Sequence, residues 1–140
     1  YNHARFTSYL AFNPNDPSQD PNQAGHLLSN APKWTARICA EYGADAGDGR
    51  VTLRGEIFTS SRVFFSPYNN LRNSQAAYTL GNMSLRYDGS GPWSASIYVN
   101  NVTDRLVRAG SSVGNVFVGR VITFSYLPPR VYGIKVGRKF

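Results

Sequence analysis

Apolar and polar residues alternate along five stretches of the chain, and clusters of Gly, Asn, Asp, Ser and Pro separate them. The last stretch is the plainest. Tyr132, Ile134, Val136, Arg138 and Phe140 share one face, and Val131, Gly133, Lys135, Gly137 and Lys139 share the other. Trp34, Ala36, Ile38, Ala40 and Tyr42 likewise oppose Thr35, Arg37, Cys39 and Glu41. Val51, Leu53, Gly55 and Ile57 oppose Thr52, Arg54, Glu56 and Phe58. Thr79, Gly81, Met83, Leu85 and Tyr87 oppose Tyr78, Leu80, Asn82, Ser84 and Arg86. Trp93, Ala95, Ile97 and Val99 oppose Ser94, Ser96, Tyr98 and Asn100. A period of two predicts strands with one greasy and one wet face. The expected strands cover about 33–43, 50–60, 77–88, 92–102 and 130–140, with residues 1–7 closing one more. Long loops are expected at about 8–32, 61–76 and 103–129, and short turns at 43–50 and 88–92. The fold class is all-β, an antiparallel up-and-down meander.

Long and short connections take turns along the chain, as in a transmembrane barrel with turns at one end and loops at the other. A soluble antiparallel sheet with one face on a core has the same alternation. The aromatic residues separate the two readings. In an up-and-down meander the greasy faces place Tyr42, Tyr87, Trp93 and Phe140 at the turn end, and Trp34 and Tyr132 at the other. Such rings form the two interfacial belts of a membrane barrel. Trp34 to Tyr42 and Tyr132 to Phe140 are both eight steps. At about 3.4 Å per step and a tilt of roughly 40°, that is a rise of about 21 Å, close to an apolar band about 25 Å tall.

The wet faces carry Arg37, Glu41, Arg54, Glu56, Arg86, Lys135 and Lys139. Pairing residue 42 with 51 across the first turn sets Arg37 opposite Glu56, with Glu41 diagonal to Arg54; a shift of two sets Glu41 opposite Arg54. Either register makes opposite charges neighbours, worth about 0.2–1 kcal/mol per pair. Pairing Tyr87 with Trp93 across the second turn sets Met83 beside Ile97 and Asn82 beside Tyr98. Five strands and a stub are fewer than the eight of the smallest outer-membrane barrels, and an open sheet leaves raw edges. The chain is therefore expected to be part of a larger barrel or one partner of a split one.

The net charge is +7, from 15 Lys+Arg against 8 Asp+Glu. No apolar run is long enough for a membrane helix of about 18 residues. Tyr1-Asn-His-Ala-Arg5 has no signal-peptide core, so a mature chain or a piece of a longer one is expected. The sole cysteine, Cys39, has no internal disulfide partner. His3 and His26 lie in or beside loops without metal-ligand spacing, Glu41 and Glu56 each have an arginine neighbour, and the glycines form no phosphate-binding pattern. No catalytic residue, metal or cofactor is expected. The charge raises nucleic-acid binding, but both signs interleave on the wet faces and the aromatics lie elsewhere. Loop cations Arg62, Arg72 and Arg108 suit anionic lipopolysaccharide or an anionic ligand. Arg62, Phe64, Phe65 and Tyr68 are the densest aromatic group in a loop, and either contact a ligand or pack the loop against its neighbours.

Asn30-Ala-Pro-Lys-Trp34, Ala40-Glu-Tyr42, Asn100-Asn-Val-Thr-Asp104, Pro129-Arg-Val-Tyr-Gly133 and the final Phe140 resemble, in order and spacing, the end of a TonB-dependent outer-membrane receptor. The resemblance covers essentially the whole chain, and Arg138 departs from it where an aromatic is usual. It implies the last strands of a 22-stranded barrel in the bacterial outer membrane, with no plug domain in these residues. It further implies active uptake of a scarce nutrient, most often a ferric siderophore. The implied partners are the rest of the barrel and its plug, TonB through that plug, outer-membrane lipid and lipopolysaccharide. The barrel-assembly machinery would read the terminal strand. The alternative is a secreted or surface β-domain that binds carbohydrate or protein and uses the aromatics as a soluble core.

Overall fold

The alternating stretches form strands because Val, Ile, Tyr and Trp recur at every second position, where a pleated surface packs them. The computed structural model describes residues 1–13, 16–114 and 121–138. Among them nine strands form: β1 Thr35–Ala46, β2 Gly49–Ser60, β3 Val63–Phe64, β4 Ser74–Gln75, β5 Tyr78–Asp88, β6 Trp93–Asn100, β7 Arg108–Val113, β8 Ile122–Tyr126 and β9 Val131–Arg138. A 3-10 turn at Leu71–Asn73 is capped by Asn70, whose side chain accepts from the Arg72 N–H. Five of the strands make one sheet in the order β1-β2-β5-β6-β9. Its neighbours follow chain order, so the sheet is an up-and-down meander.

The chain divides into two units. One comprises residues 36–59, 79–105 and 128–140; the other comprises residues 1–35, 60–78 and 106–127.

In the first unit, β1 and β2 run further than the alternation suggested, so their turn is Gly47-Asp48 alone. Gly47 has φ +61°, the conformation a first central glycine supplies to a tight hairpin turn. β5 pairs with β6 as Tyr87↔Ala95, Leu85↔Ile97 and Met83↔Val99. That register lies two residues from the expected pairing of Tyr87 with Trp93. The reason is a Gly89–Pro92 loop closed by the Gly89 N–H on the Trp93 carbonyl. A shift of two leaves every side chain on its expected face. β6 then pairs with β9 as Trp93↔Arg138, Ile97↔Ile134 and Tyr98↔Gly133.

In the second unit, residues 1–7 form no strand. The backbone of 4–11 folds onto 21–28 instead, through Phe6 N to His26 O, Gly25 N to Phe6 O and Gln23 N to Tyr9 O. Arg5 and Leu27 meet only in an isolated bridge. The segment finds its antiparallel partner inside the proline-rich stretch that follows it. The other two long loops also carry structure: β3 pairs with β4, and β7 with β8. The interior of this unit is largely polar, with Asn13, Gln23, Asn73, Ser74 and Gln75 buried.

Leu27 and Val107 are the only buried apolar side chains among the described residues, and neither belongs to the sheet unit. The sheet is a single layer whose greasy face has no core beneath it.

Candidate functional site

The charged face is organised around Glu56 on β2. One carboxylate oxygen lies 3.4 Å from the Arg37 guanidinium and accepts from the Asn82 amide at 3.4 Å. The other accepts from the Cys39 thiol at 3.4 Å. Arg54 reaches Glu41 at 3.7 Å and the Cys39 sulfur at 3.8 Å. Both charge pairs expected from the sequence are therefore made, and Cys39 sits between them. Arg37 and Arg54 stay more than half exposed, which keeps each pair worth at most about 1 kcal/mol. Arg86 pairs with Asp88 at 2.7 Å. Tyr98 lies across Gly133, where an added Cβ would sit 2.7 Å from its hydroxyl, and Lys135 stands 5.1 Å over the Tyr98 ring. Any larger residue there would push the Tyr98 ring aside. Lys139 lies outside the described residues. The result is a wet wall whose ions neutralise one another.

The opposite face is apolar and uncovered. Ile38, Tyr42, Ile57, Ile97, Ile134 and Val136 are each more than half exposed. A groove of about 440 Å³ between Leu53, Met83, Leu85, Ile97, Tyr132 and Ile134 is relief on this face. Of the six aromatics expected in belts, Trp34, Tyr42, Tyr87, Trp93 and Tyr132 are all exposed, and Phe140 lies outside the described residues. Arg138, the residue out of pattern on this face, pairs with Trp93 and sets its guanidinium 5.5 Å over the indole.

At the turn end, Asp48 accepts from the Tyr87 hydroxyl at 2.6 Å and from the Ser90 hydroxyl at 2.9 Å, linking the two turns. These bonds, Tyr87 first, hold its carboxyl below the ordinary 3.8. A carboxyl with a lowered folded value adds stability above its unfolded pKa, and that stability is lost as pH falls through the folded value. Amide exchange in the 88–92 turn should therefore accelerate below about pH 4. Asp48→Asn should flatten that acid response; an unchanged profile in the variant would remove the carboxylate from the account.

The four candidate ligand residues have different hydrogen-bond partners. Arg62 donates to the Ser74 hydroxyl at 3.0 Å, the Phe64 carbonyl accepts from the Asn30 N–H, and the Phe65 N–H donates to the Asn73 carbonyl. Tyr68 donates to the Phe12 carbonyl at 2.9 Å, and its own carbonyl accepts from Gln19. Arg62 and Phe65 brace the 61–76 loop internally, and Phe64 and Tyr68 tie it to the loop that precedes β1. Tyr68 alone lines a small hollow, about 40 Å³, with Asn13, Asn70 and Asn73. Arg108 stacks 3.9 Å over Phe124 and donates to the Ser74 carbonyl at 3.1 Å, so it clamps the β7–β8 hairpin to the 72–74 segment. Among the described residues no group of three His, Cys, Asp or Glu is placed to hold a metal.

In the sequence Asn101 has a place in the Asn100-Asn-Val-Thr-Asp104 motif but no structural role. It is buried at φ +53°, and its amide spans the corner between β6 and the approach to β9. It accepts from the Arg105 N–H at 2.9 Å and donates to the Arg105 carbonyl at 3.0 Å. The signal was the doubled Asn in Asn100-Asn-Val-Thr-Asp104, since Asn tolerates the left-handed region.

The one-layer antiparallel meander, with an ionic face and an exposed apolar face, has the fold of the barrel strands of TonB-dependent receptors. Two solved structures share the fold. The ferric yersiniabactin uptake receptor FyuA of Yersinia pestis matches 84% of this chain and 18% of its own, with TM-score 0.75 and 20% identity. The ferric preacinetobactin receptor BauA of Acinetobacter baumannii matches 84% of this chain and 16% of its own, with TM-score 0.66 and 23% identity. The chain thus spans less than a fifth of either receptor. No protein-family model matches the chain, and no curated protein matches it in sequence.

Proposed function

We propose that residues 1–140 are the C-terminal portion of the barrel of a TonB-dependent outer-membrane receptor that takes up a ferric siderophore. The observation that carries this reading is the uncovered apolar face: a soluble sugar- or protein-binding domain needs a core under those isoleucines, and this sheet has none. The 22-strand closure, the plug and the contact with TonB then come from outside these residues. The wet wall contributes a hydrated, hydrogen-bonding lining for the passage, with no chemistry of its own. Loop cations such as Arg62 and Arg72 face lipopolysaccharide, and the terminal strand is offered to the assembly machinery.

Two measurements test this. The protein should sediment with outer membranes and need detergent for extraction; recovery as a water-soluble monomer would defeat the barrel reading. Deleting the gene in iron-limited cells should abolish uptake of one radio-iron-labelled siderophore. Intact iron uptake with loss of growth on cobalamin or a sugar would move the substrate class and leave the barrel standing.

A further inference from the structure

We propose that Arg62, Arg72 and Arg108 form a site for an oxyanion of the transported iron chelate, so that the substrate is a ferric complex of net negative charge. This deepens the uptake reading above and rests on it. The unit of residues 1–35, 60–78 and 106–127 carries Arg5, Lys33, Arg62, Arg72, Arg108 and Arg120 against two acids, Asp16 and Asp20. Both aspartates are engaged within their own loop. Asp16 accepts from the Ser18 N–H and hydroxyl, and Asp20 accepts from the Asn22 N–H. Among the described residues neither has a Lys or Arg within ion-pair distance. In the sheet unit, by contrast, Arg37, Arg50, Arg54, Arg86 and Arg130 each have a carboxylate partner. The sheet neutralises its cations locally, and the loop unit leaves its own for an anion from outside.

Three of these cations are gathered on one short segment. Arg62 donates through Nη1 to the Ser74 hydroxyl at 3.0 Å. Arg108 donates through Nη1 to the Ser74 carbonyl at 3.1 Å and to the Arg72 carbonyl at 3.4 Å. Two guanidiniums therefore meet at one serine, and the exposed Arg72 stands two positions before it. Beneath them Asn73, Ser74 and Gln75 are buried. Like charges brought together repel, and an anion between them reverses the sign of that interaction. Tying the segment down would need only neutral donors. Among the described residues the protein takes one nitrogen, Nη1, from each of Arg62 and Arg108. The remaining N–H donors belong to a planar fork that fits the paired oxygens of an oxyanion. Phe124 lies 3.9 Å from the Arg108 guanidinium and fixes the plane of that fork in advance. Lipopolysaccharide phosphates are the competing anion for these cations, and the test separates the two sources.

The test uses whole cells with the full-length gene. Supernatant from the iron-starved culture is loaded with radio-iron and divided on an anion-exchange column at neutral pH. Cells with the gene should take up iron from the retained fraction, and gene-deleted cells should not. The double variant Arg62→Gln, Arg72→Gln leaves the Arg108 clamp in place. At limiting chelate it should take up iron about tenfold more slowly, the loss expected for one charge-assisted hydrogen bond, with the maximal rate kept. The matching Lys variant should fall between, because charge remains and the fork is gone. Immunoblots of outer membranes check that the proteins are present in equal amount; where the Gln variant is absent from the membrane, the column result decides alone. Gene-dependent uptake confined to the unretained fraction overturns the proposal and leaves the uptake reading standing. Wild-type uptake by the Gln variant also overturns it, and loss of co-purifying lipopolysaccharide in that variant would give these cations to the lipid alone. Uptake from both fractions without the gene defeats the uptake reading itself, and this proposal with it.

Discussion

Ile97→Arg should destabilise the protein in a lipid bilayer by about 2–4 kcal/mol, the cost of a cation near the middle of a barrel's outer face. Ile97 is 53% exposed. In a water-soluble protein a substitution at such a position changes stability by about 0.5 kcal/mol or less. The large effect comes from the solvent. Ile97 is near the centre of its strand, flanked across the sheet by Leu85 and Ile134. From there an arginine has the furthest to climb before it finds headgroups or water. Ser96→Arg is the matched control. Ser96 is next in sequence, faces the charged wall, and lies between Arg86 and Lys135. It should cost little, with some repulsion at low salt. Urea titrations of the two variants in phosphatidylcholine vesicles, followed by gel mobility, give the comparison. Equal midpoints for Ile97→Arg and Ser96→Arg would mean that both faces of the sheet meet water.

The five long strands and the faces of the residues that alternate along them were legible because parity is a local property. A period of two survives errors in turn length, so the β5–β6 register could slip by two while Met83, Leu85 and Tyr87 kept their side. What escaped was set by partners distant in sequence. Residues 1–7 look like a strand, but their backbone hydrogen-bond partners are Gly25, His26, Leu28 and Lys33, inside a stretch whose prolines argue for loop. The β7–β8 hairpin lay in what read as loop, although Ile122, Phe124 and Tyr126 alternate with Thr123 and Ser125. A bulge between Arg108 and Gly110 breaks the matching pattern on β7. The candidate ligand residues show the same limit. Phe64, Phe65 and Tyr68 are dense in sequence, yet their backbones and hydroxyl serve three different neighbours. Arg138 made sense only once β9 was laid beside β6, because its aromatic partner lies 45 positions earlier in the chain.

Wall and loops hold together by different means, and this locates the most sensitive substitution away from the charges. Removing an ion pair such as Arg37–Glu56 leaves partly hydrated groups that water can satisfy. Removing a buried amide takes away the hydrogen bonds that fix two stretches of backbone to each other. Asn101 is 5% exposed, and its own N–H donates to the Asn82 side chain at 3.0 Å. Its amide serves Arg105 at both the N–H and the carbonyl, and the Pro128 carbonyl at 3.4 Å. Arg130 and Asp104 close the same corner, with the Arg130 N–H donating to the carboxylate at 3.1 Å.

Asn101→Ala should therefore cost about 2–4 kcal/mol. About 1 kcal/mol or more comes from holding an alanine at positive φ, and the rest from losing the hydrogen bonds to Arg105 and Pro128. Asn101→Gly removes the backbone strain and leaves those hydrogen bonds unmade, so it should recover about 1 kcal/mol and no more. The effect should spread along the sheet, because β6 and β9 begin their ladder at Asn100↔Val131, beside the corner. Hydrogen exchange should quicken first at Val131 and Tyr132, well before the Trp93↔Arg138 end responds. Both ends of the Asn101 amide are engaged inside the fold, so it is a structural clamp. An Asn101→Ala protein with a wild-type urea midpoint and unchanged exchange at Val131 would show that the β6–β9 ladder holds the corner, and not the reverse.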